Sequence, residues 1–363
     1  MVDRRRIVQQ ARCGAAKALV TLVRAEGSSY RRPGAHLLIN GDGEYAGTIS
    51  GGCLETEVVR KAAWMIREGA IVERYSTLFD DTAEIPFGLG CGGVVDLLLE
   101  PADTPEYEAL IEAMELSLCG AESRVATWLP LDSNPLRRVI FSARGDVLFR
   151  SEGLSAADLD AANSASPEIY VEHLLSPQRL FVLGAGDDAR PVVSMAALLG
   201  WDVIVADSRV QLAKRERFPE AVRVVATSSI VELGLRTQDA AVIMTHSYEQ
   251  DRTLLTGLLS GSEVPAYIGL LGASHRSSLL VSEAAAILGI TVAECCQRVW
   301  APVGLDLGGD GAEAIAIAVI AEVQASIHGK LGASRRLTPE RVAEQVAKGG
   351  ASRYLQTQCA LGS

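Results

Sequence analysis

The sequence lacks the marks of a membrane, secreted or nucleic-acid-binding protein. No apolar stretch long enough for a signal peptide or a membrane span follows "MVDRRR" at residues 1–6, and the apolar runs elsewhere are interrupted by charge or glycine. Lys and Arg number 34 against 45 Asp and Glu, which gives a net charge of -11. Because a nucleic-acid backbone requires a basic face, we expect no nucleic-acid partner. We expect a cytoplasmic protein without a membrane span.

Cysteine usage excludes further classes. The seven cysteines are an odd number spread over 363 residues, which is unlike the disulfide framework of a small secreted domain. The sequence contains no C-x-x-C and no H-E-x-x-H, and no cluster has the spacing of a zinc site. The cysteines are therefore predicted to be thiols.

The patterns that are present predict an α/β protein with two domains and a tail. Residues 1–170 alternate short strands, one of them over residues 35–50, with helices over residues 54–68 and 104–118, which indicates an N-terminal α+β domain. Residues 176–330 repeat a βαβ pattern, which predicts a Rossmann-like, doubly wound parallel sheet. Residues 331–363 form a tail with a helix in "TPERVAEQVAKGG".

The segment "LGAGDDA" at residues 183–189 has the spacing of a dinucleotide-binding turn. Gly184, Gly186 and Ala189 follow a strand and precede a helix, so the backbone could approach a pyrophosphate at the helix N-terminus. Asp207 ends the next strand, where an acidic residue would meet a ribose hydroxyl, and His246 follows a later strand.

Two adjacent acids complicate this interpretation. Asp187 and Asp188 place negative charge where a phosphate would lie. The alternatives left open are a site for NAD(P) and a turn of the same shape that binds no dinucleotide. For His246 they are a role in the site and a hydrogen-bonded loop histidine.

Two cysteines stand in glycine-rich loops of the N-terminal half. Cys53 follows Gly51 and Gly52 at the start of a predicted helix, whose dipole would lower the pKa of the thiol and favour thiolate. Cys91 precedes Gly92 in "FGLGCGGV". The alternative is that both cysteines are small buried residues in tight turns. In "EGSSYRRPGAHL" at residues 26–37, two arginine forks would suit a phosphate, unless the segment is only a solvated loop.

Six segments together resemble the xanthine dehydrogenase accessory protein family (XdhC/CoxI). They are "EGSSYRRPGA", "GTISGGCLE", "GLGCGG", "VLGAGDDA", "YIGLLGA" and "APVGLDLGGDGAEAIAIAVIAEV", between about residues 20 and 325. Position by position, Arg31 falls on the arginine of the family's GSSPR-x-PGA segment, Cys53 and Cys91 on its loop cysteines, and Asp306 on the aspartate of GLDIG. Four segments depart from the family pattern: Tyr30 replaces a proline, and "GDD", "THSYEQD" and "GASHRSS" replace GHV-, THDH- and GSRRK-like segments.

The resemblance implies a chaperone that binds the molybdenum cofactor, as molybdopterin or its dinucleotide. Cys53 and Cys91 would contact molybdenum, Gly51, Gly52 and Gly92 would admit the flat pterin, and Arg31 would hold the phosphate. The implied partners are a cysteine desulfurase, which acts in sulfuration, and a molybdenum hydroxylase client. We also expect a homo-oligomer.

Two other functions remain open. One is an NAD(P)-dependent oxidoreductase that uses the Rossmann turn, with His246 as acid and base. The other is a regulatory module that only binds a ligand. The chaperone would have no turnover of its own, and hydride transfer would separate the oxidoreductase from both other functions.

Overall fold

A computed structural model describes residues 1–27, 29–52, 54–76, 93–130, 134–163, 166–333, 339–340 and 344. The chain divides into two compact units between Ser176 and Pro177. Most of the helix predicted in the tail lies outside the described residues. None of the helices in the described ranges is long and apolar enough to cross a membrane.

The N-terminal unit contains two antiparallel sheets. One has the strand order β3-β2-β1-β5-β4 and the other the order β8-β7-β6-β9. The strands are β1 (Ala16–Glu26), β2 (His36–Asn40), β3 (Tyr45–Gly47), β4 (Ile71–Ser76), β5 (Val94–Pro101), β6 (Ser123–Trp128), β7 (Arg137–Ser142), β8 (Val147–Arg150) and β9 (Ile169–Leu174). The helices are α1 (Val2–Arg12), α2 (Glu55–Met65), α3 (Pro105–Leu118) and α4 (Ala156–Ala161).

Local sequence explains the beginnings of these elements. The Thr104 side chain accepts a hydrogen bond from the Tyr107 N–H at 3.2 Å, and Pro105 occupies the first turn, so α3 starts there. The single strand predicted over residues 35–50 is wrong: the chain turns at Gly43, whose φ of 87° favours glycine, and forms the β2–β3 hairpin. Strand β9 continues the N-terminal unit beyond residue 170 by pairing with β6.

The C-terminal unit is a parallel sheet with helices on both faces, as predicted. Its strand order is β12-β11-β10-β13-β14-β15. The strands are β10 (Arg179–Leu183), β11 (Asp202–Ala206), β12 (Arg223–Val225), β13 (Ala240–Ile243), β14 (Tyr267–Leu270) and β15 (Val299–Trp300). The helices are α5 (Ala189–Leu198), α6 (Ile230–Leu233), α7 (Tyr248–Ser260), α8 (Ser274–Leu288), α9 (Val292–Cys296) and α10 (Ala312–Ile327), with a short 3-10 turn at Arg215–Arg217.

Two apolar cores lie between the parallel sheet and the helices on its two faces. Helices α5 and α10 contribute to the core on one face, and α7 and α8 contribute to the core on the other. The strand order reverses between β10 and β13, which opens a crevice at the carboxyl edge of the sheet. The glycine turn after β10 lies at this edge.

Candidate functional site

Strand register brings three loops of the N-terminal unit to one end of the five-stranded sheet. Glu26, at the end of β1, pairs with Val94 at the start of β5, and Val94 also pairs with Ser76 at the end of β4. Leu37, near the start of β2, pairs with Gly47 at the end of β3. The loop at residues 27–35, the loop after Gly47 and the connection from β4 to β5 therefore leave the sheet at the same end.

Tyr30 joins the first two of these loops. A Cβ atom added to Gly51 would lie 3.7 Å from Cγ of the Tyr30 ring, so the ring covers the Gly51 backbone. The Tyr30 side chain is nevertheless 73% exposed. Gly52 has a φ of +109°, and a Cβ atom there would meet nothing within 4 Å. The described part of this surface thus offers an exposed aromatic ring beside open glycine backbone.

The glycine loop owes its shape to Ser50 and Glu55. The buried Glu55 carboxylate accepts hydrogen bonds from the Ile49 N–H at 3.0 Å, the Ser50 N–H at 2.8 Å and the Ser50 hydroxyl. Ser50 Oγ in turn accepts from the N–H groups of Gly52 and Leu54. Burial alone would raise the pKa of Glu55, but these hydrogen bonds outweigh burial and lower it below its ordinary value. The loop is therefore held by a charged carboxylate.

The two arginines of the first loop have different surroundings. Arg31 donates from Nη2 to Asp3 Oδ2 at 2.7 Å, with its side chain 35% exposed. Arg32 is exposed, and within the described ranges no carboxylate pairs with its guanidinium. Arg31 is thus already bound to an acid, whereas Arg32 faces solvent.

Cys53, Cys91 and Gly92 lie outside the described residues. The residues that flank them, Gly52, Leu54 and Gly93, lie inside. Among the described residues, no group of three or more His, Cys, Asp and Glu side chains could hold a metal ion.

In the C-terminal unit, the glycine turn packs closely against β13. Gly184 has a φ of +132°, and a Cβ atom there would lie 2.3 Å from the Met244 carbonyl oxygen, so only glycine fits. A Cβ atom on Gly186 would lie 2.5 Å from Oδ1 of Asp188, a flexible side chain. Ala189 is fully buried as the first residue of α5. The spacing read from the sequence therefore serves close packing of strand, turn and helix.

Hydrogen-bond donors of the protein occupy the acceptor sites of the Asp207 carboxylate. Its Oδ2 accepts from the Ala185 N–H at 2.8 Å and from Arg209 Nη2 at 2.7 Å, and its Oδ1 accepts from the Arg209 N–H and Nε at 2.8 and 2.9 Å. A carboxylate has about four acceptor sites, so these donors fill them. A ribose hydroxyl would have to displace Arg209 or the turn.

Both acidic side chains of the turn contact basic side chains. Asp187 contacts Arg217 Nη2 at 3.0 Å, and Asp188 contacts His246 Nε2 at 2.9 Å. His246 has a φ of 63°, which is unusual for a residue other than glycine. The structure thus places His246 next to the turn, and the negative charge expected there is partly balanced.

Other family positions lie along the same edge of the C-terminal unit. Asp306 is exposed in the glycine-rich segment between β15 and α10. Arg276, in "GASHRSS", donates to the buried Asp251 carboxylate at 2.7 Å, and Asp251 also accepts from Thr245. Arg276 therefore fixes the start of α8 to α7.

Sequence reasoning missed the partners of the site residues. The pairing of Asp207 with Arg209 has a readable signal, because residues two apart in extended backbone lie on the same side. The pairs of Asp187 with Arg217 and of Asp188 with His246 have no such signal, since each joins residues far apart in the sequence.

Comparison with known proteins identifies both units. The family model described as "XdhC and CoxI family" matches residues 11–76, and the model described as "XdhC Rossmann domain" matches residues 180–323. A Bacillus subtilis protein named as a probable xanthine dehydrogenase subunit is 27% identical over 84% of this chain and 91% of its own length. The molybdenum cofactor insertion chaperone PaoD of Escherichia coli is 25% identical over 85% of this chain and 83% of its own length.

A solved structure has the same fold. The crystal structure of a Bacillus halodurans protein described as a xanthine dehydrogenase superposes with a TM-score of 0.78, covers 94% of this chain and 99% of its own, and is 25% identical. The two family models match different units of the chain, and both describe the same family. The chain therefore belongs to the XdhC and CoxI family.

Proposed function

We propose that the protein is an accessory chaperone in the maturation of a molybdenum hydroxylase. It binds the molybdenum cofactor, as molybdopterin or its dinucleotide, assists sulfuration of the cofactor together with a cysteine desulfurase, and delivers it to the client enzyme. A relative that is similar over most of its length is named a molybdenum cofactor insertion chaperone. The observation that carries the proposal is that the strand ends from which three loops leave lie together at one end of the N-terminal sheet.

The described residues of this end suit a flat ligand that carries a phosphate. The exposed Tyr30 ring can stack on a planar ring system, and the open backbone at Gly52 allows close approach. Arg32 can bind a phosphate directly, and Arg31 can do so if the ligand competes with Asp3.

The proposed metal contacts are the two loop cysteines. Cys53 precedes α2 in the sequence, where the helix dipole favours thiolate, and Cys91 with Gly92 belongs to the connection that leaves the same sheet end. A soft thiolate suits molybdenum or a transferred sulfur atom. The bound cofactor would supply the oxo and sulfido chemistry, while the protein holds and shields it.

The rival function, an NAD(P)-dependent oxidoreductase, has weaker support. Its ribose ligand would be Asp207, whose acceptor sites are filled by Arg209 and the turn. Its acid and base would be His246, and the contact of its Nε2 with Asp188 is compatible with that role, so the objection rests on Asp207. We therefore favour the chaperone over the oxidoreductase, and over a regulatory module that only binds a ligand.

The test is cofactor content in cysteine variants. We expect the protein from a molybdate-fed host to co-purify with molybdenum and with pterin that fluoresces after oxidation. Cys53→Ser should lose most of both, because serine fits the space but is a poor ligand for a soft metal. Cys91→Ser should lose less, since its loop leads into a strand and gains no comparable help from a helix dipole.

Cys119→Ser is the matched control, because Cys119 is an exposed free cysteine of the same unit at the end of α3. It should keep the wild-type content. Unchanged molybdenum and pterin in both loop variants would refute the proposed role of the cysteines. Hydride transfer from NADH or NADPH to a carbonyl substrate would support the rival function instead.

A further inference from the structure

Strand β4 is an outer strand of the five-stranded sheet in the N-terminal unit. One of its edges pairs with β5, and within the described ranges no strand pairs with the other edge. A free edge presents unpaired backbone N–H and C=O groups, which can take up a further strand. The side chains beside this edge indicate which strand it can take up.

A groove lies beside this edge on each face of the sheet. On the face that α2 covers, the exposed Trp64 and Tyr75 line a groove of about 880 Å³, the α2-side groove. On the opposite face, where Ala70 and Val72 pack in a different core, they line a groove of about 610 Å³. Glu68 borders both grooves. Because alternate residues of a strand point to opposite faces, an added strand would send side chains into both.

The groove on the face away from α2 is acidic. Its lining contains Glu68, Glu100 and Glu106, and no lysine or arginine among the described residues. Arg138 neutralises the buried Glu100, to which it donates two hydrogen bonds at 2.9 and 3.0 Å. Within the part of the chain that the structure describes, no basic side chain pairs with Glu68 or Glu106. This acidic groove therefore favours a basic side chain.

The α2-side groove carries two charges of opposite sign that are not used within one copy. Arg67 and Glu73 both line it, and neither forms an ion pair with another residue of the described ranges. The other two bases of the lining, Arg60 and Lys61, both pair with Glu57 at 2.6 and 2.5 Å. Arg67 and Glu73 are therefore available to a partner.

A second copy of β4 fits this edge in one register. When two copies pair antiparallel around Val72, this residue lies opposite its own copy, Ile71 lies opposite Glu73, and Ala70 lies opposite Arg74. A two-fold axis perpendicular to the sheet keeps each residue on its own face. Each copy therefore presents Glu73 to the α2 side of the other copy and Arg74 to the acidic side.

This register brings opposite charges together on both faces. Glu73 of the second copy reaches the α2-side groove at Ile71, which lines that groove together with Arg67. Arg74 of the second copy reaches the acidic groove. Within one copy Arg74 pairs with Glu26, but the two side chains are 57% and 63% exposed, so this pair contributes little and can be exchanged.

Charge also selects this register over its neighbours. Pairing centred on Glu73 or on Arg74 would place two like charges directly opposite each other, which is destabilising. Pairing centred on Val72 avoids both. We infer that two copies of the chain associate through β4, which joins their five-stranded sheets into one continuous sheet. The inference rests on this edge and does not depend on the proposed cofactor site.

Charge exchange between copies tests the inference. Sedimentation of the full chain at about 50 μM should show a dimer, because association through a short strand gives affinities in the micromolar range. Arg67→Glu places two acids at each proposed pair, and Glu73→Arg places two bases there. Each variant alone should raise the dissociation constant of the dimer about tenfold or more. An equimolar mixture of the two variants restores both pairs between copies and should dimerise like the wild type.

Arg144→Glu is the matched control, because Arg144 is an exposed arginine in the turn between β7 and β8 of the same unit. It should dimerise like the wild type. Amide hydrogen exchange at residues 70–74 should slow about tenfold from dilute to concentrated wild-type protein, and should not depend on concentration in Arg67→Glu.

Four outcomes would overturn the inference. They are a wild-type monomer at about 100 μM, a mixture that stays monomeric, dissociation by Arg144→Glu as large as by Arg67→Glu, and a dimer without slowed exchange at residues 70–74. A monomer would leave the β4 edge to a strand of another protein. A dimer without slowed exchange would place the contact between copies elsewhere.

Discussion

Glu55 is the residue that holds the glycine loop of the N-terminal unit. Its carboxylate is 1% exposed and accepts from two backbone N–H groups, those of Ile49 and Ser50. In Glu55→Ala both would lose a charged acceptor, and a hydrogen bond to a charged group contributes about 1.5–3 kcal/mol. We expect amide hydrogen exchange at residues 49–50 to accelerate about tenfold or more.

Glu57→Ala is the control for this measurement. Glu57 lies on the same helix but pairs with Arg60 and Lys61, and no hydrogen bond joins its carboxylate to the described residues of the loop. Exchange at residues 49–50 should stay at the wild-type rate. Equal acceleration in the two variants would mean that general loosening of α2, and not the carboxylate, governs the loop.

The lowered pKa of Glu55 predicts that the unfolding free energy depends on pH. The pKa of Glu55 is lowered in the folded state, so its stabilisation is complete above the ordinary carboxyl pKa of about 4.3 and is lost as the pH falls through the lower folded value. The difference in unfolding free energy between wild type and Glu55→Gln should be largest near neutral pH and shrink in acid. Denaturant titrations between pH 7 and pH 3 would measure it, and a difference that grows in acid would contradict the assignment.

Alanine substitutions at Gly47 and Gly43 distinguish the cost of a steric clash from the cost of backbone strain. Their φ values are +88° and +87°, but a Cβ atom on Gly47 would lie 2.3 Å from the His36 carbonyl oxygen, whereas one on Gly43 would meet nothing within 4 Å. We expect Gly43→Ala to lower the unfolding free energy by about 1–2 kcal/mol, the cost of the left-handed conformation. Gly47→Ala should cost clearly more. Urea titration of both variants checks this, and similar values would show that the backbone near Gly47 relaxes.

At the scale of elements, Asp207 ties the turn between β10 and α5 to the end of β11. Burial would raise the pKa of Asp207, but hydrogen bonds from Arg209 and Ala185 lower it. Asp207→Asn should reduce stability by about 1–2 kcal/mol, because it weakens a charged, buried acceptor whose partner Arg209 is 37% exposed and therefore screened.

Asp187→Asn is the matched control in the same turn. Its carboxylate is 86% exposed, so the pair with Arg217 should contribute between about 0 and 1 kcal/mol. Calorimetric melting of the three proteins would compare them. Destabilisation by Asp187→Asn as large as that by Asp207→Asn would show that the turn depends on its surface charges.

At the scale of the whole molecule, each unit contains its own apolar cores. The cores of the C-terminal unit draw their buried residues from positions between Leu180 and Val323, and those of the N-terminal unit from positions between Ile7 and Leu174. A fragment of residues 177–335 should therefore fold alone and unfold cooperatively. Circular dichroism and thermal melting would check it, and a fragment without a cooperative transition would contradict it.

Much of the architecture followed from the sequence, because it depends on local patterns. The βαβ alternation after residue 176 predicted the parallel sheet, and "LGAGDDA" predicted the turn between β10 and α5. The helix predicted over residues 104–118 agrees with α3. The single strand read over residues 35–50 failed although the sequence contains a signal for the turn: "NGDG" at residues 40–43 is typical of a hairpin turn, and β2 pairs with β3 across it.

The tertiary structure alone decided which groups meet. Strand register brought residues 27–35 and the loop after Gly47 to one sheet end, and the Tyr30 ring onto Gly51. The same holds for the partners of the acids in the turn: Asp188 contacts His246 across 58 positions of sequence. A sequence pattern states which residue types recur at short spacing, whereas contacts between distant residues depend on how the strands pair and the helices pack.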